Sequence, residues 1–188
     1  HIAVEHIHPK ISNGALALVW TNFLLACVNC NSCKGDTPIL LAAYLWPDSD
    51  NTLRAFVYQH GLVMASGGLV APLRAKVDAL IRLVGLDKDP GNPDPERRPS
   101  SADRRWKYRQ DCWGLAQRSL NRLQANDTIE LRAQIVENAI SRGGFGIWFS
   151  VFVGDADMRR RLVAAFPGTA QNCFDANAIP IQRIGGQL

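Results

Sequence analysis

Glu5 and His6 set a carboxylate next to an imidazole near the start of the chain. Asn22 follows His6 by sixteen residues, and Asn31 follows Asn22 by nine. A carboxylate oxygen and an amide oxygen, with water completing the shell, form a hard-donor set suited to Mg2+ or Mn2+. An imidazole that is not itself a ligand takes up a proton near neutral pH, which makes His6 a candidate general base. Cys27, Cys30 and Cys33 are bunched in the same stretch. The chain has five cysteines, an odd number, and such bunching argues for a metal rather than for disulfides. Cys112 and Cys173 stand alone in apolar surroundings and are expected to be small core residues.

Elements must bring these residues together. Neighbours in a strand point to opposite faces, so Glu5 and His6 serve one site only where the strand ends or twists. Ile2 and Val4 favour a short strand, and Pro9 breaks it. Ser12, Asn13 and Gly14 signal a loop. Residues 20–28 are apolar and read as a second strand or its lead-in, and residues 31–35 as a short helix or turn. The expected order is strand, loop, strand, helix: a small ββα unit.

The strings VEHIHPK and WTNFLLACVNCNSCKGD together resemble the HNH endonuclease signature of an acid-His pair, a central Asn, and a C-x-x-C-N-x-x-K-G run. The resemblance implies a ββα-metal (treble-clef-like) finger that hydrolyses phosphodiester bonds in DNA. Glu5 and Asn31 would hold one Mg2+ or Mn2+, and His6 would deprotonate the attacking water. Asn22 would brace the loop, and Lys34, one turn after Asn31, would face a phosphate oxygen. Many such fingers carry a second C-x-x-C ahead of the acid-His strand, completing a structural zinc. No such pair precedes Glu5 in this sequence, so a structural Zn2+ would rest on Cys27, Cys30 and Cys33. A looser similarity, in residues 56–63, 83–87 and 103–105, points to retron-linked and Septu-type defence nucleases, which work beside a partner ATPase. The alternative is a non-catalytic, zinc-finger-like module binding nucleic acid or protein.

The fold class expected is α+β, with the ββα unit followed by a mainly α-helical C-terminal region. Residues 1–48 form the nuclease module, and residues 49–86 a hairpin and helix packing on it. The hairpin is centred on Gln59-His60-Gly61, and the helix carries Leu73, Val77, Leu80 and Val84 on one face. Residues 87–103, rich in proline and charge, read as a linker or exposed loop, and residues 104–188 as the helical region. There Trp106, Trp113, Ala116, Leu120 and Leu123 predict an amphipathic helix over 103–124. Asp127 and Glu130 have the spacing of a capping box for the next helix. Asp155 and Asp157 are expected to cap a last helix, and the chain from Pro167 onward to be irregular.

Apolar residues make up 47% of 188, enough for a sizeable core, while no apolar run is long enough to cross a bilayer. No signal peptide is visible, and a soluble cytoplasmic protein is expected. The formal net charge of +4 suits a polyanionic partner. Arg104, Arg105 and Lys107, within a basic cluster running from Arg97 to Arg109, are candidate DNA contacts, with a second cluster at Arg159, Arg160 and Arg161. His1 and His8 are read as bystanders, His60 as exposed in the hairpin turn, and the tryptophans as core residues.

Overall fold

A computed structural model describes residues 2–188 and is a mixed α/β arrangement, stranded and helical at the start and mostly helical later. The expected bystander His1 lies outside the described residues. Strand β1 (Ile2–His6) pairs antiparallel with β2 (Phe23–Cys27), with Glu5 opposite Leu24 and His6 opposite Phe23. The connection carries two 3-10 turns, Gly14–Leu16 and Trp20–Asn22, so the second strand starts three residues later than its apolar run suggests. Helix α1 (Val28–Lys34) follows directly, with the Cys27 sulfur accepting from the Cys30 amide at its first turn. Gly35, at φ 50°, closes α1 in a conformation that costs other residues a Cβ clash.

The ββα unit has an unusual interior. It encloses Ile7, but also Glu5, Asn22 and Lys34, and none of these belongs to the large apolar clusters of the chain. Hydrogen bonds rather than aliphatic packing hold it together.

Helix α2 (Thr52–Ala55) leads into β3 (Phe56–Gln59), which pairs with β4 (Leu62–Ala65) in the expected hairpin. Both turn residues, His60 and Gly61, have positive φ, the geometry of a tight two-residue hairpin turn. His60 is exposed, as expected, with its ring 5.4 Å from that of Trp113. Helix α3 (Ala71–Leu83) buries Val77, Leu80 and Ile81 against this hairpin and Leu45.

Residues 87–103 form a loop with no buried residue, tied down through Arg97. Arg97 pairs with Asp87 and donates to the Arg82 carbonyl, folding the proline-rich segment back onto the end of α3. Helix α4 (Arg105–Ala125) then runs for 21 residues. Its buried stripe is Arg109, Cys112, Ala116, Ser119 and Leu123, which shares Ala116 and Leu123 with the stripe expected, while Trp113 and Leu120 pack along its edge. Trp106 and Trp113 are only half-buried. Helix α5 (Ile129–Arg142) is capped by the Thr128 hydroxyl, which accepts from the Leu131 amide at 3.1 Å. Asp127, expected in that role, is drawn instead into an ion pair with Arg132.

Helix α6 (Phe145–Val151) threads Trp148, fully buried, between α4 and helix α7 (Ala156–Ala165). Asp155 caps α7 as expected, accepting from the Met158 amide, while Asp157 in the first turn pairs with Arg132 and Arg161. Cys112 and Cys173 are buried, matching their reading as core residues. The chain beyond Pro167 is largely irregular, but it is anchored. Asn51 donates to the Cys173 and Ile181 carbonyls, and Leu188 sits in the core with Leu45 and Val77.

Candidate active site

The end of β1, the chain after it and the last turn of α1 meet at a pocket of about 200 Å³. It is lined by Glu5, His6, Lys10, Asn31 and Asp36, with Val4, Pro9 and Gly35. Glu5, His6 and Asn31 are thus brought together, while Asn22 lies behind them. Asn22 is buried, and its amide oxygen accepts from the His8 amide at 2.7 Å. Its nitrogen donates to the His8 and Leu16 carbonyls at 3.0 and 3.1 Å. One side chain therefore ties the segment after β1 to the turns before β2. His8 takes part through its backbone only.

The His6 ring packs edge-on against Phe23, its cross-strand partner, and its Nε2 lies 3.1 Å from the Ala17 carbonyl oxygen. A carbonyl only accepts, so that contact assigns the proton to Nε2 and leaves Nδ1 as the basic nitrogen.

Lys34 departs from expectation. Its ammonium is buried and does not reach out toward a phosphate. It donates to Glu5 Oε1 and to the His6 carbonyl, both at 2.7 Å. Glu5 Oε2, by contrast, is buried with no hydrogen-bond partner among the described residues. A buried carboxylate oxygen left without a partner is costly, and a cation is the natural group to satisfy it. The Glu5 oxygen with the Asn31 amide and water fits a hard divalent ion.

The three thiols are not arranged as a metal centre. Among the described residues no group of three or more His, Cys, Asp or Glu side chains is placed to hold a metal ion. The space beside Cys30 and Cys33 is filled by the Arg105 guanidinium, 3.0 Å from the Cys30 sulfur and 3.5 Å from that of Cys33. Arg105 also grips the Asp103 carboxylate and the Val84 and Gly85 carbonyls, fastening α1 to the start of α4 and the end of α3. Asn29 adds a bond to Asp103.

Burial pushes the Cys30 thiol up to about 11. At Cys27 burial acts in the same sense, but it is outweighed by hydrogen bonds from Cys30 and by the Arg105 charge, and the thiol falls below its ordinary value. The thiolate is the nucleophile, so iodoacetamide near neutral pH is expected to label Cys27 ahead of Cys30 and Cys112. Peptide mass spectrometry would read the order, and equal labelling would contradict it.

Of the expected DNA contacts, Arg105 is thus turned inward, whereas Arg104 and Lys107 are exposed, the latter paired with Asp111. Arg109 is also committed inward, to the Gly61 and Leu86 carbonyls. In the second basic cluster, Arg159 stacks on Phe149, and Arg160 and Arg161 pair with Asp157. In two of the larger hollows, of about 360 Å³ beside Asn51 and about 490 Å³ beside Arg132, those two side chains are engaged in the contacts already described.

Residues 1–37 match the model of the HNH endonuclease family. The matched segment spans β1, β2, α1 and Gly35, and so contains Glu5, His6, Asn22, Asn31 and Lys34. It implies a nuclease acting on nucleic acid, and nucleases of this family generally use divalent metal ions. Comparison with curated proteins and with solved structures found no match for the chain. No helix of the described residues is long and apolar enough to cross a membrane.

Sequence reasoning missed three features in and around the matched segment: the Lys34–Glu5 pair, Lys10 and Asp36 at the pocket rim, and the Arg105 tie. The only signal for the last was Asp103 two residues before Arg105, a local acid-base pair at a helix start.

Proposed function

We propose that the chain is a divalent-metal-dependent endonuclease hydrolysing phosphodiester bonds in DNA, with its site at the end of β1. The observation that carries this reading is the buried, unpartnered Glu5 Oε2 in the pocket that His6 and Asn31 also line. Glu5 Oε2 and the Asn31 amide would hold the ion, Mg2+ or Mn2+, in the ββα-metal arrangement. When bound, it supplies charge stabilisation for the phosphate oxygens and the leaving 3′-oxygen.

The remaining chemistry belongs to the chain. His6, with Nε2–H donated to Ala17, accepts the proton of the attacking water at Nδ1. Asn22 keeps the segment after His6 in place through its three hydrogen bonds. Lys10, exposed at the pocket rim, is placed to meet a phosphate of the substrate. Arg104 and Lys107 extend the basic surface on α4. Service in a bacterial defence system, beside a partner ATPase in the cytoplasm, is supported only by the looser sequence resemblance of residues 56–63, 83–87 and 103–105.

The purified chain is expected to nick supercoiled plasmid with Mg2+ or Mn2+ and to stop when EDTA is added. A folded protein inert toward DNA and RNA across a series of divalent metals would overturn the catalytic reading in favour of a binding module.

A further inference from the structure

Lys34 is a long, strongly hydrated cation, yet it lies buried inside the matched segment. Its position is fully accounted for by two acceptors, Glu5 Oε1 and the His6 carbonyl, each at 2.7 Å. Resting on the endonuclease reading, we infer that Lys34 is a positioning residue: it restricts Glu5 to a single free oxygen and so keeps divalent-cation binding at this pocket loose.

The argument is one of geometry and charge. The ammonium is bonded to Oε1, so while the pair stands Oε2 is the one Glu5 oxygen that faces an ion unopposed. The Glu5 charge is also cancelled at contact distance by a cation that is itself shielded from water. At the rim, Asp36 and Lys10 bring one formal charge of each sign, and His6 and Asn31 add no fixed charge when the imidazole is neutral. A divalent ion therefore enters a pocket whose fixed charges sum to about zero, with one protein carboxylate oxygen to bind. Affinity at hard-cation sites rises with the number of charged ligands, so this arrangement sits at the weak end. The bond to the His6 carbonyl gives the same ammonium a second effect. It pins the strand end at which the imidazole and the carboxylate, neighbours on opposite faces, must both reach the pocket.

Removing the charge should then separate binding from turnover. In Lys34→Met, Glu5 is free to bind through both oxygens with no ammonium opposing the ion. Mn2+ is expected to bind about tenfold more tightly, since a unit charge a few ångströms from a divalent ion is a large term at low dielectric. The strand end loses its anchor, so the maximal nicking rate falls while half-maximal activity needs less Mn2+. Lys34→Arg keeps both the charge and the donors and stays close to the wild type. A role confined to stability would lower the melting temperature without tightening metal binding.

The test is calorimetric titration of Mn2+ into the full chain, as wild type, Lys34→Met, Lys34→Gln, Lys34→Arg and Glu5→Gln, with circular dichroism confirming the fold of each. Lys34→Gln keeps a donor without the charge and replaces Lys34→Met should the latter not fold. Tighter binding in the uncharged variants, wild-type-like binding in Lys34→Arg and loss in Glu5→Gln support the inference. Unchanged or weaker binding in a folded, uncharged Lys34 variant overturns it. Wild-type binding by Glu5→Gln would instead overturn Glu5 as a ligand, and with it the reading on which the inference rests.

Discussion

Replacing His6 with alanine is expected to slow plasmid cleavage by about 10²–10⁴-fold, the usual worth of a positioned general base. The ring has no other task of that size. It is half-buried, meets Phe23 edge-on at 5.0 Å between ring centroids and makes a single hydrogen bond, to the Ala17 carbonyl. Its backbone keeps its role in the variant, because the His6 carbonyl still accepts from Lys34 and the strand register with Phe23 is a main-chain property. The protein should therefore stay folded and retain its divalent-ion binding while losing turnover. Rates at saturating Mn2+, set beside a calorimetric Mn2+ titration, separate those outcomes. Near-wild-type cleavage by a folded His6→Ala protein would remove His6 from the chemistry.

Replacing Arg105 with alanine is expected to destabilise the protein by about 1–3 kcal/mol, the usual cost of leaving partly buried polar groups without their partner. The Arg105 side chain is 12% exposed and that of Asp103 11%, so solvent screens the pair little. The variant would leave the Asp103 carboxylate without its guanidinium and release the Cys30 and Cys33 sulfurs with the Val84 and Gly85 carbonyls. The neighbouring Arg104→Ala, at an exposed position, should change stability by less than about 0.5 kcal/mol. Urea unfolding of the two variants reads the contrast, and equal stabilities would refute the tie.

The pH dependence has a defined sign. The Arg105 hydrogen bond holds the Asp103 carboxyl below the usual carboxylate range. A depressed folded-state value means that the contribution is complete above the unfolded value of about 3.9 and is lost only as pH falls further, through the folded value. Attachment of α1 to α4 should thus persist through mildly acidic conditions and loosen only in stronger acid.

The ββα unit was legible because its information is local. Strand, loop, strand and helix fall within the first thirty-five residues, and the bracing role expected of Asn22 came from the resemblance to the HNH signature. Lys34 shows where such reading stops. Its place one turn after Asn31 was plain, but whether it faces solvent or Glu5 depends on how α1 lies on β1. The Arg105 error has a related origin. An arginine beside a proline-rich charged stretch resembles a solvated face, and its partners Cys30 and Cys33 lie 75 and 72 residues away. On α4, apolar periodicity traced the tryptophans, whereas the buried stripe includes Arg109, which follows the carbonyls of Gly61 and Leu86 inward. Thr128 outranked Asp127 as a cap because Arg132, part of the same helix, competes for the carboxylate.

The polar interior of the ββα unit carries a consequence for motion. Glu5, Asn22 and Lys34 fill the space where the rest of the chain uses Trp148, Phe152 and Leu45. Each of the three is satisfied largely by groups that water can also satisfy, so exposing them forfeits little of the apolar stabilisation that resists unfolding of α4 and α6. Amide protons of β1 and β2 should therefore exchange with solvent through sub-global opening, well before those of the helical body. A cation seated at Glu5 would slow that exchange selectively, turning the part of the molecule most ready to open into one that its ligand closes.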